Sequence, residues 1–356
     1  VAASGRVRIV IAEDSPTVAN MLVRIFNSDP ELEVAGVADD GLVAVQMVKQ
    51  LRPDVVTMDI LMPRLDGIES TRRIMSDVPT PVVIISSTIS SSETEASSSA
   101  LGAGALAAVA KPPGPSSPEF ALSSRRLINA VKAVAGIKMA ARPLARSRGR
   151  GATDSGLASI AGRPCRVVAI GASTGGPAVL AKVLAGLPSS FSLPVLIVQH
   201  MAPGFHEGFA RWLDSSCRLP VKLAEAGETV MPGTVYVAPE SRHMGIKRAR
   251  IELNDKPAVD LSCPSVTYLF NSVAAEFGAA TCAVILTGMG RDGSDGLVAV
   301  KAAGGYVIAQ EEKSCAVFGM PGVAIREGLV DRVVLPEDVA RIMAGFRDPA
   351  LKRRAV

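Results

Sequence analysis

Nothing in this 356-residue chain approaches the run of about 18–20 apolar residues that a membrane-spanning helix needs. Its apolar stretches are short and broken by Gly, Pro or charge. The N-terminus lacks a basic segment followed by an apolar core, which argues against export by a signal peptide. Cysteine is scarce: Cys165, Cys217, Cys263, Cys282 and Cys315 are widely spaced, odd in number and without a C-x-x-C pair. That spacing excludes a disulfide or zinc framework and predicts small apolar core residues in a reducing compartment. The charge excess is only +4 and gathers in one segment, so no nucleic-acid-binding domain is expected. Histidine occurs three times, which makes each copy a marked position. The expectation is a soluble, cytoplasmic protein with no direct membrane insertion.

What is present is enough apolar content, 48%, to build the cores of two ordinary domains. The composition breaks over residues 137–164, where Gly, Ala, Ser and Arg dominate and apolar periodicity stops. This predicts a basic, flexible linker between a domain at 6–136 and another at 165–345. Both halves alternate short β-rich runs with helical patterns, which predicts an α/β protein of two doubly wound parallel-sheet domains. The strands of the first are expected at 7–12, 32–38, 54–59, 81–86 and, weakly, 105–110. In the second they are expected at "RVVAIGA", "PVLIVQH", "GTVYVA" and "TCAVILTG".

Function in open parallel sheets gathers at the carboxyl ends of strands. In the first half Glu13 and Asp14 end the first strand, Asp59 the third and Ser86 the fourth, and Lys111 follows the fifth. Three converging carboxylates call for a hard cation such as Mg²⁺. A carboxylate beside that ion and a lysine suits phosphoryl transfer, because both cations offset charge on the moving group. Asp66 reads as a helix cap.

These residues lie in "IAEDS", "VVTMDILMPRLDG", "VVIISS" and "AKP", and the half that carries them resembles a response-regulator receiver domain of flavodoxin-like fold. The resemblance implies Asp59 as phosphoacceptor, with Glu13, Asp14, Asp59 and the Leu61 carbonyl holding Mg²⁺. Ser86 and Lys111 match that family's switch hydroxyl and lysine. Two departures stand out. The fourth helix is a thin, serine-rich "SSSETEASSSALGAG", and Ala108 stands where an aromatic switch residue is common, which points to altered transmission of the signal.

In the second half, "RVVAIGASTGGPAVLAKVL" runs from strand through glycine turn to helix around Ser173. Gly171-Ala-Ser173-Thr-Gly175 fits the G-x-S-x-G nucleophile elbow in its required setting. The spacing is not G-x-G-x-x-G, and no acid ends a second strand about 20 residues on, which disfavours a dinucleotide cradle. That second strand ends instead in His200. Adjacent strands would set this imidazole beside Ser173, as a base for a hydroxyl that is a poor nucleophile alone. The strand "CAVILTGMGRDG" ends in a loop carrying Asp292, the type of carboxylate that holds a catalytic imidazole in one tautomer. A Met289 N–H is placed to join an oxyanion hole. Asp295 reads as the cap of the following helix, and His206, in "PGFHEGF", as a surface residue. His243 with Asp214 would give a hydrolase-like order, but "PESRHM" reads as a polar turn.

"IGASTGGP", "VQHM", "LTGMGRDG" and "SCAVFGMP" make this half resemble the Rossmann-like catalytic domain of chemotaxis protein-glutamate methylesterases. The resemblance implies Ser173 as nucleophile, His200 as base, Asp292 as orienting acid, and Thr174 and Met289 as oxyanion-hole donors, with no cofactor for the esterase step. It further implies chemoreceptor cytoplasmic domains as substrates, glutamine deamidation as a second reaction, and a chemotaxis histidine kinase as phosphodonor. By the same resemblance, the unphosphorylated receiver restrains the esterase. Thr267 and Cys263 depart from that family's pattern, which points to altered contacts with the substrate surface.

Overall fold

The computed structural model describes residues 5–86, 91–137, 162–260 and 262–349. The expected linker lies almost wholly outside the described residues. The chain divides into two compact units, at residues 1–144 and 145–356. Among the described residues no helix is long and apolar enough to cross a membrane.

The first unit runs β1 (Val7–Ala12), α1 (Pro16–Asn27), β2 (Leu32–Ala38), α2 (Gly41–Leu51), β3 (Val55–Met58), α3 (Gly67–Asp77), β4 (Val82–Ser86), α4 (Ser91–Gly102), β5 (Ala107–Ala110) and α5 (Phe120–Ala135). Its five parallel strands lie in the order β2-β1-β3-β4-β5, the flavodoxin-like winding. β3 and β4 are buried throughout, as strands covered on both faces by helices must be. Helix starts are written locally: Ser15, Asp40 and Asp66 each accept a backbone N–H of the turn they cap, which satisfies a donor left free at a helix start. The cap expected at Asp66 is therefore present. α4 forms despite its serine content, and Ala108 lies buried on β5 opposite Ile84.

The second unit contains β6 (Val167–Ala172), α6 (Gly176–Ala185), β7 (Val195–Gln199), α7 (His206–Ser216), β8 (Val221–Leu223), β9 (Val235–Val237), β10 (His243–Lys247) and β11 (Arg250–Asn254). After these come α8 (Val266–Phe277), β12 (Thr281–Ile285), α9 (Ser294–Ala302), β13 (Tyr306–Gln310), α10 (Met320–Arg326), β14 (Arg332–Val334) and α11 (Pro336–Gly345). Seven parallel strands follow the order β14-β13-β12-β6-β7-β9-β8, and β10 and β11 form a separate antiparallel hairpin. From β6 the chain winds one way through β7 to β9 and later the other way through β12 to β14. The reversal opens a crevice at the carboxyl ends of β12, β6 and β7, the usual ligand position in such sheets. β6 is buried along its whole length. Val168 and Ile170 face one apolar core, and Val167 and Ala169 the other.

All five cysteines are free thiols. Cys165 and Cys282 are core residues as expected, whereas Cys217, Cys263 and Cys315 are only partly buried. Burial pushes the Cys165 thiol up to about 12 and Cys282 well above its ordinary value, so both stay protonated.

Candidate active site

Ser173 sits one residue beyond β6, half-buried, in a turn that packing over-determines. Its N–H donates to Thr287 O (3.0 Å), and its own carbonyl accepts Gly176 N–H (2.8 Å) and Gln199 Nε2–H (2.8 Å). Gln199 Nε2 also donates to His200 O (2.9 Å), so one buried amide ties the serine turn to the histidine strand. Gly175 adopts φ +76°, and a Cβ there would lie 2.5 Å from Ala316 Cβ. A Cβ on Gly176 would lie 2.0 Å from Gln199 Oε1. Protein atoms fill the open sides of both glycines, which is what a packed elbow requires and a phosphate-facing loop does not.

β6 and β7 are paired neighbours, with Ala172 opposite Gln199, and His200 N donates to Ala172 O at 3.0 Å. The strand adjacency expected from the sequence is therefore present. His200 Nε2 lies 2.8 Å from Asp292 Oδ2. A carboxylate only accepts, so Nε2 carries a proton, and in the neutral ring the lone pair falls to Nδ1. Among the described residues no hydrogen bond joins Ser173 Oγ to this ring. Such catalytic bonds often tighten only with substrate in place.

Asp292 is 4% exposed and fully engaged. Oδ1 accepts Ser265 Oγ–H (2.9 Å) and Thr267 N–H (2.9 Å), and Oδ2 accepts Val266 N–H (2.8 Å) as well as His200. The carboxylate thus sits on the N-terminus of α8, where free N–H groups and the helix dipole favour negative charge. Burial works to raise this carboxyl, but the bond to His200 and the Thr267 and Val266 N–H groups outweigh it, and it ends below the ordinary value.

The oxyanion-hole candidates flank the serine. Among the described residues neither Thr174 N–H nor Met289 N–H donates to a protein acceptor. Residues 314–320 close this side: Thr287 Oγ1 donates to Thr174 O (3.0 Å) and accepts Val317 N–H (2.9 Å). Gly288 is pressed so closely that a Cβ would lie 2.4 Å from Met320 Sδ and 2.7 Å from Ser173 Cβ. Buried Gln310 accepts Thr287 N–H (2.8 Å) and donates to Ser314 O (2.8 Å). Sequence reasoning passed over Gln199, Ser265, Thr287 and Gln310. Only Ser265 had a local signal, as the cap ahead of an apolar helix.

Four expectations need correction. His206 is not a surface residue: it is 4% exposed, and neither ring nitrogen has a partner. Burial, with a smaller effect of the nearby His200 charge, pushes it down to about 4 despite Glu240. His243 is no polar turn but the buried start of β10. Asp295 does not cap α9, whose cap is Gly293 at φ +101°; it lies in the first turn, paired with Arg291 at 2.9 Å. Thr267 belongs to the seat of Asp292 and is 5% exposed, so it is not a substrate-surface residue.

In the first unit, Lys111 Nζ reaches Asp59 Oδ2 (2.8 Å) and Glu13 Oε2 (2.9 Å), and Ile60 N–H donates to Asp59 Oδ1 (2.8 Å). Lys111 N donates to Ser86 O at 2.9 Å, which fixes the lysine strand end beside Ser86. Oxygens of Glu13, Asp14 and Asp59 all lie within 4.8 Å of one another. Burial holds Glu13 and Asp59 above the ordinary carboxylate value against the opposing pull of Lys111, with a smaller raising effect of Asp59 on Glu13 and of Asp14 on Asp59. Burial would lower Lys111, but Asp59 and Glu13 raise it. Three acids against one lysine, all-oxygen and converging, fit a small hard dication.

Comparison with known proteins gives two matches along the chain: the CheB methylesterase family at residues 168–343 and the response regulator receiver domain family at residues 9–117. A protein of Myxococcus xanthus named protein-glutamate methylesterase/protein-glutamine glutaminase 4 is 48% identical over 96% of this chain and 97% of its own. One of Anaeromyxobacter dehalogenans, with the same name numbered 3, is 48% identical over 95% and 98%. The CheB methylesterase catalytic domain of Thermotoga maritima is 40% identical, covering 51% of this chain and 97% of that one at a TM-score of 0.49.

Proposed function

The chain belongs to the CheB methylesterase family, with a response regulator receiver domain ahead of the esterase domain, and from that premise we propose that it is a phosphorylation-regulated protein-glutamate methylesterase and glutaminase acting through Ser173, His200 and Asp292. The observation that carries this reading is the His200–Asp292 pair at 2.8 Å, at the crevice where the strand carrying Ser173 ends.

Ser173 Oγ attacks the side-chain ester carbonyl of a glutamyl methyl ester while His200 Nδ1 accepts its proton. Asp292 holds the ring so that Nδ1 is the basic nitrogen, and it stabilises the imidazolium that forms. This is the reverse of the ring usage in the serine-protease template, where the acid engages Nδ1. Thr174 and Met289 N–H groups receive the oxyanion, and a donor of this kind contributes about 2.7–4 kcal/mol elsewhere. The tetrahedral intermediate collapses as His200 protonates the departing methoxide. Water, deprotonated by His200, then cleaves the acyl-enzyme and restores both Ser173 and a glutamate carboxylate. With a glutamine side chain the same steps release ammonia. The substrates on this reading are the cytoplasmic helices of methyl-accepting chemoreceptors.

In the receiver domain Asp59 is the phosphoacceptor. Glu13, Asp14, Asp59 and the Leu61 carbonyl would hold Mg²⁺, which supplies charge compensation to the transferring phosphoryl group. Lys111 offsets charge on Asp59, and Ser86 lies at the strand end where a phosphate would be received. A chemotaxis histidine kinase is the phosphodonor. Phosphorylation raises esterase activity by favouring the active arrangement over the restrained one, a difference in free energy between two states.

The test is methanol release from methylated receptor by wild type and Ser173→Ala, with and without acetyl phosphate and Mg²⁺. Release that requires Ser173 and rises with phosphodonor supports the whole reading. Release by the Ala variant at the wild-type rate overturns the triad.

A further inference from the structure

We infer that His243 is a positioning residue for the esterase reaction: its neutral ring fixes Ser265, and through Ser265 the donors that hold Asp292 against His200. The inference rests on the triad reading above. His243 heads β10, far from Asp292 in sequence but packed against α8 in space: it is 0% exposed, and its ring stacks on Tyr268 of α8 with centroids 4.9 Å apart.

Two hydrogen bonds define its state. Ser265 N–H points to His243 Nδ1 at 3.2 Å, and His243 Nε2 lies 3.1 Å from Pro257 O. A backbone N–H only donates and a carbonyl only accepts, so Nδ1 must carry the lone pair and Nε2 the proton. A doubly protonated ring would set an N–H against the Ser265 N–H, and the other neutral tautomer would lose both bonds. The geometry is built for one form of this imidazole.

The next link explains what that form does. Ser265 is the cap of α8: its Oγ accepts Tyr268 N–H (3.2 Å) and donates to Asp292 Oδ1 (2.9 Å). The following two N–H groups, of Val266 and Thr267, complete the seat of Asp292 at 2.8 and 2.9 Å. Three of the four donors to the carboxylate therefore hang on the backbone position of residue 265. Without an acceptor at His243 Nδ1, the buried Ser265 N–H is left unpaired, and the cap is free to rotate toward another partner. Asp292 then follows its donors, and the His200 ring follows Asp292. His243 touches neither substrate nor the reacting atoms in this scheme.

The experiment combines ¹⁵N-histidine NMR of the full chain with methanol-release kinetics on wild type, His243→Phe and His243→Gln. Wild type is expected to show His243 with Nδ1 unprotonated and a hydrogen-bonded His200 Nε2–H proton far downfield. Phe keeps the ring stack but has no acceptor; kcat is expected to fall about a hundredfold, the scale of a misplaced catalytic group, with KM unchanged and the downfield proton lost. Gln offers an amide oxygen to Ser265 and an N–H to Pro257, and is expected to restore both readouts. A folded Phe variant with wild-type kcat and an intact downfield proton overturns the inference, as does a wild-type His243 protonated on Nδ1. If the Phe chain does not fold, the Gln chain decides: near-wild-type kcat supports the inference, and a folded but inactive chain overturns it. If wild type itself releases no methanol, the esterase reading fails, while the tautomer of His243 and the His200 proton still decide the positioning role.

Discussion

Thr267 Oγ1 accepts the Gly293 N–H at 2.8 Å, a bond that joins the first turn of α8 to the loop carrying Asp292. Gly293 is the cap residue of α9 at φ +101°, so this one hydroxyl pins two helix starts to each other. Thr267→Val keeps the shape and removes the acceptor, leaving a buried N–H unpaired. The expected cost is about 1–3 kcal/mol of stability, with Thr267→Ser close to wild type. Urea unfolding of the three chains checks it. Equal midpoints for Val and wild type would mean that the bond contributes nothing.

Asp292 is held ionised by its surroundings, and two consequences follow. Asp292→Asn turns an acceptor-only partner into one that also donates, which favours the wrong His200 tautomer. On the proposed role of Asp292 a fall in kcat of about 10⁴-fold is expected, the loss that the same change causes in the serine-protease template. The second consequence concerns stability. Because the folded value lies below the ordinary carboxylate value, the ionised group contributes stability above the unfolded pKa of about 3.9. That contribution is lost as pH falls through the folded value. The stability difference between wild type and the Asn variant should therefore shrink on acidification below pH of about 4, as measured by chemical denaturation across pH.

His206 has the opposite sign. Buried and without a partner, it titrates at about 4 in the folded chain, down from an ordinary value of 6.5. The unfolded chain binds the proton first, so acidification from neutral pH favours unfolding. The loss attributable to this ring is about 2 kcal/mol between pH 7 and pH 5. His206→Leu should remove that part of the pH dependence, giving a shallower fall in unfolding free energy over the same interval. Identical slopes in the two chains would place the folded titration near the ordinary value.

In the receiver domain the carboxylates of Glu13, Asp14 and Asp59 converge with Lys111 as their one bonded cation among the described residues. Incorporation of phosphate from acetyl phosphate should therefore require a divalent cation. EDTA, Asp59→Asn and Asp14→Ala should each reduce it to background. Undiminished labelling of the Asp59→Asn chain would relocate the acceptor.

The parts of this molecule that the sequence made legible share one property: each lies at the end of a strand whose apolar run is local, or in the loop that follows one. Ser173 and His200 could be located because β6 and β7 announce themselves as buried runs that stop at a polar residue, Glu13, Asp59 and Ser86 for the same reason, and Asp292 because the glycine-rich loop after β12 carries it. What stayed hidden depends on contacts between distant segments. Thr267 and Gly293 are 26 residues apart, and Gln310 reaches back 23 residues to Thr287. Neither link leaves a periodicity to read. His206 reads as a surface residue because it stands at a helix start. Only the packing around the start of α7 shows that the ring is enclosed. The β10–β11 hairpin escaped for a related reason: His243 is polar by type and buried only because α8 lies over it.

The glycine at 288 offers the most direct test of how tightly the elbow is assembled. Its N–H donates to Val317 O (3.0 Å), and its carbonyl accepts Gly319 and Met320 N–H groups at 3.0 and 2.9 Å. The backbone therefore cannot retreat without breaking three bonds. A Cβ at this position would meet Met320 Sδ at 2.4 Å and Ser173 Cβ at 2.7 Å. The sulfur can turn aside in part, but the serine Cβ belongs to a turn fixed by Thr287 and Gln199. Relief must come from shifting either Ser173 or residues 288–290, which also carry the Met289 N–H. Gly288→Ala should consequently fold and still bind substrate, with kcat lowered about a hundredfold and KM little changed. Circular dichroism establishes the fold and methanol release establishes the rate. A variant as active as wild type would show that the elbow has slack that the packing distances do not suggest.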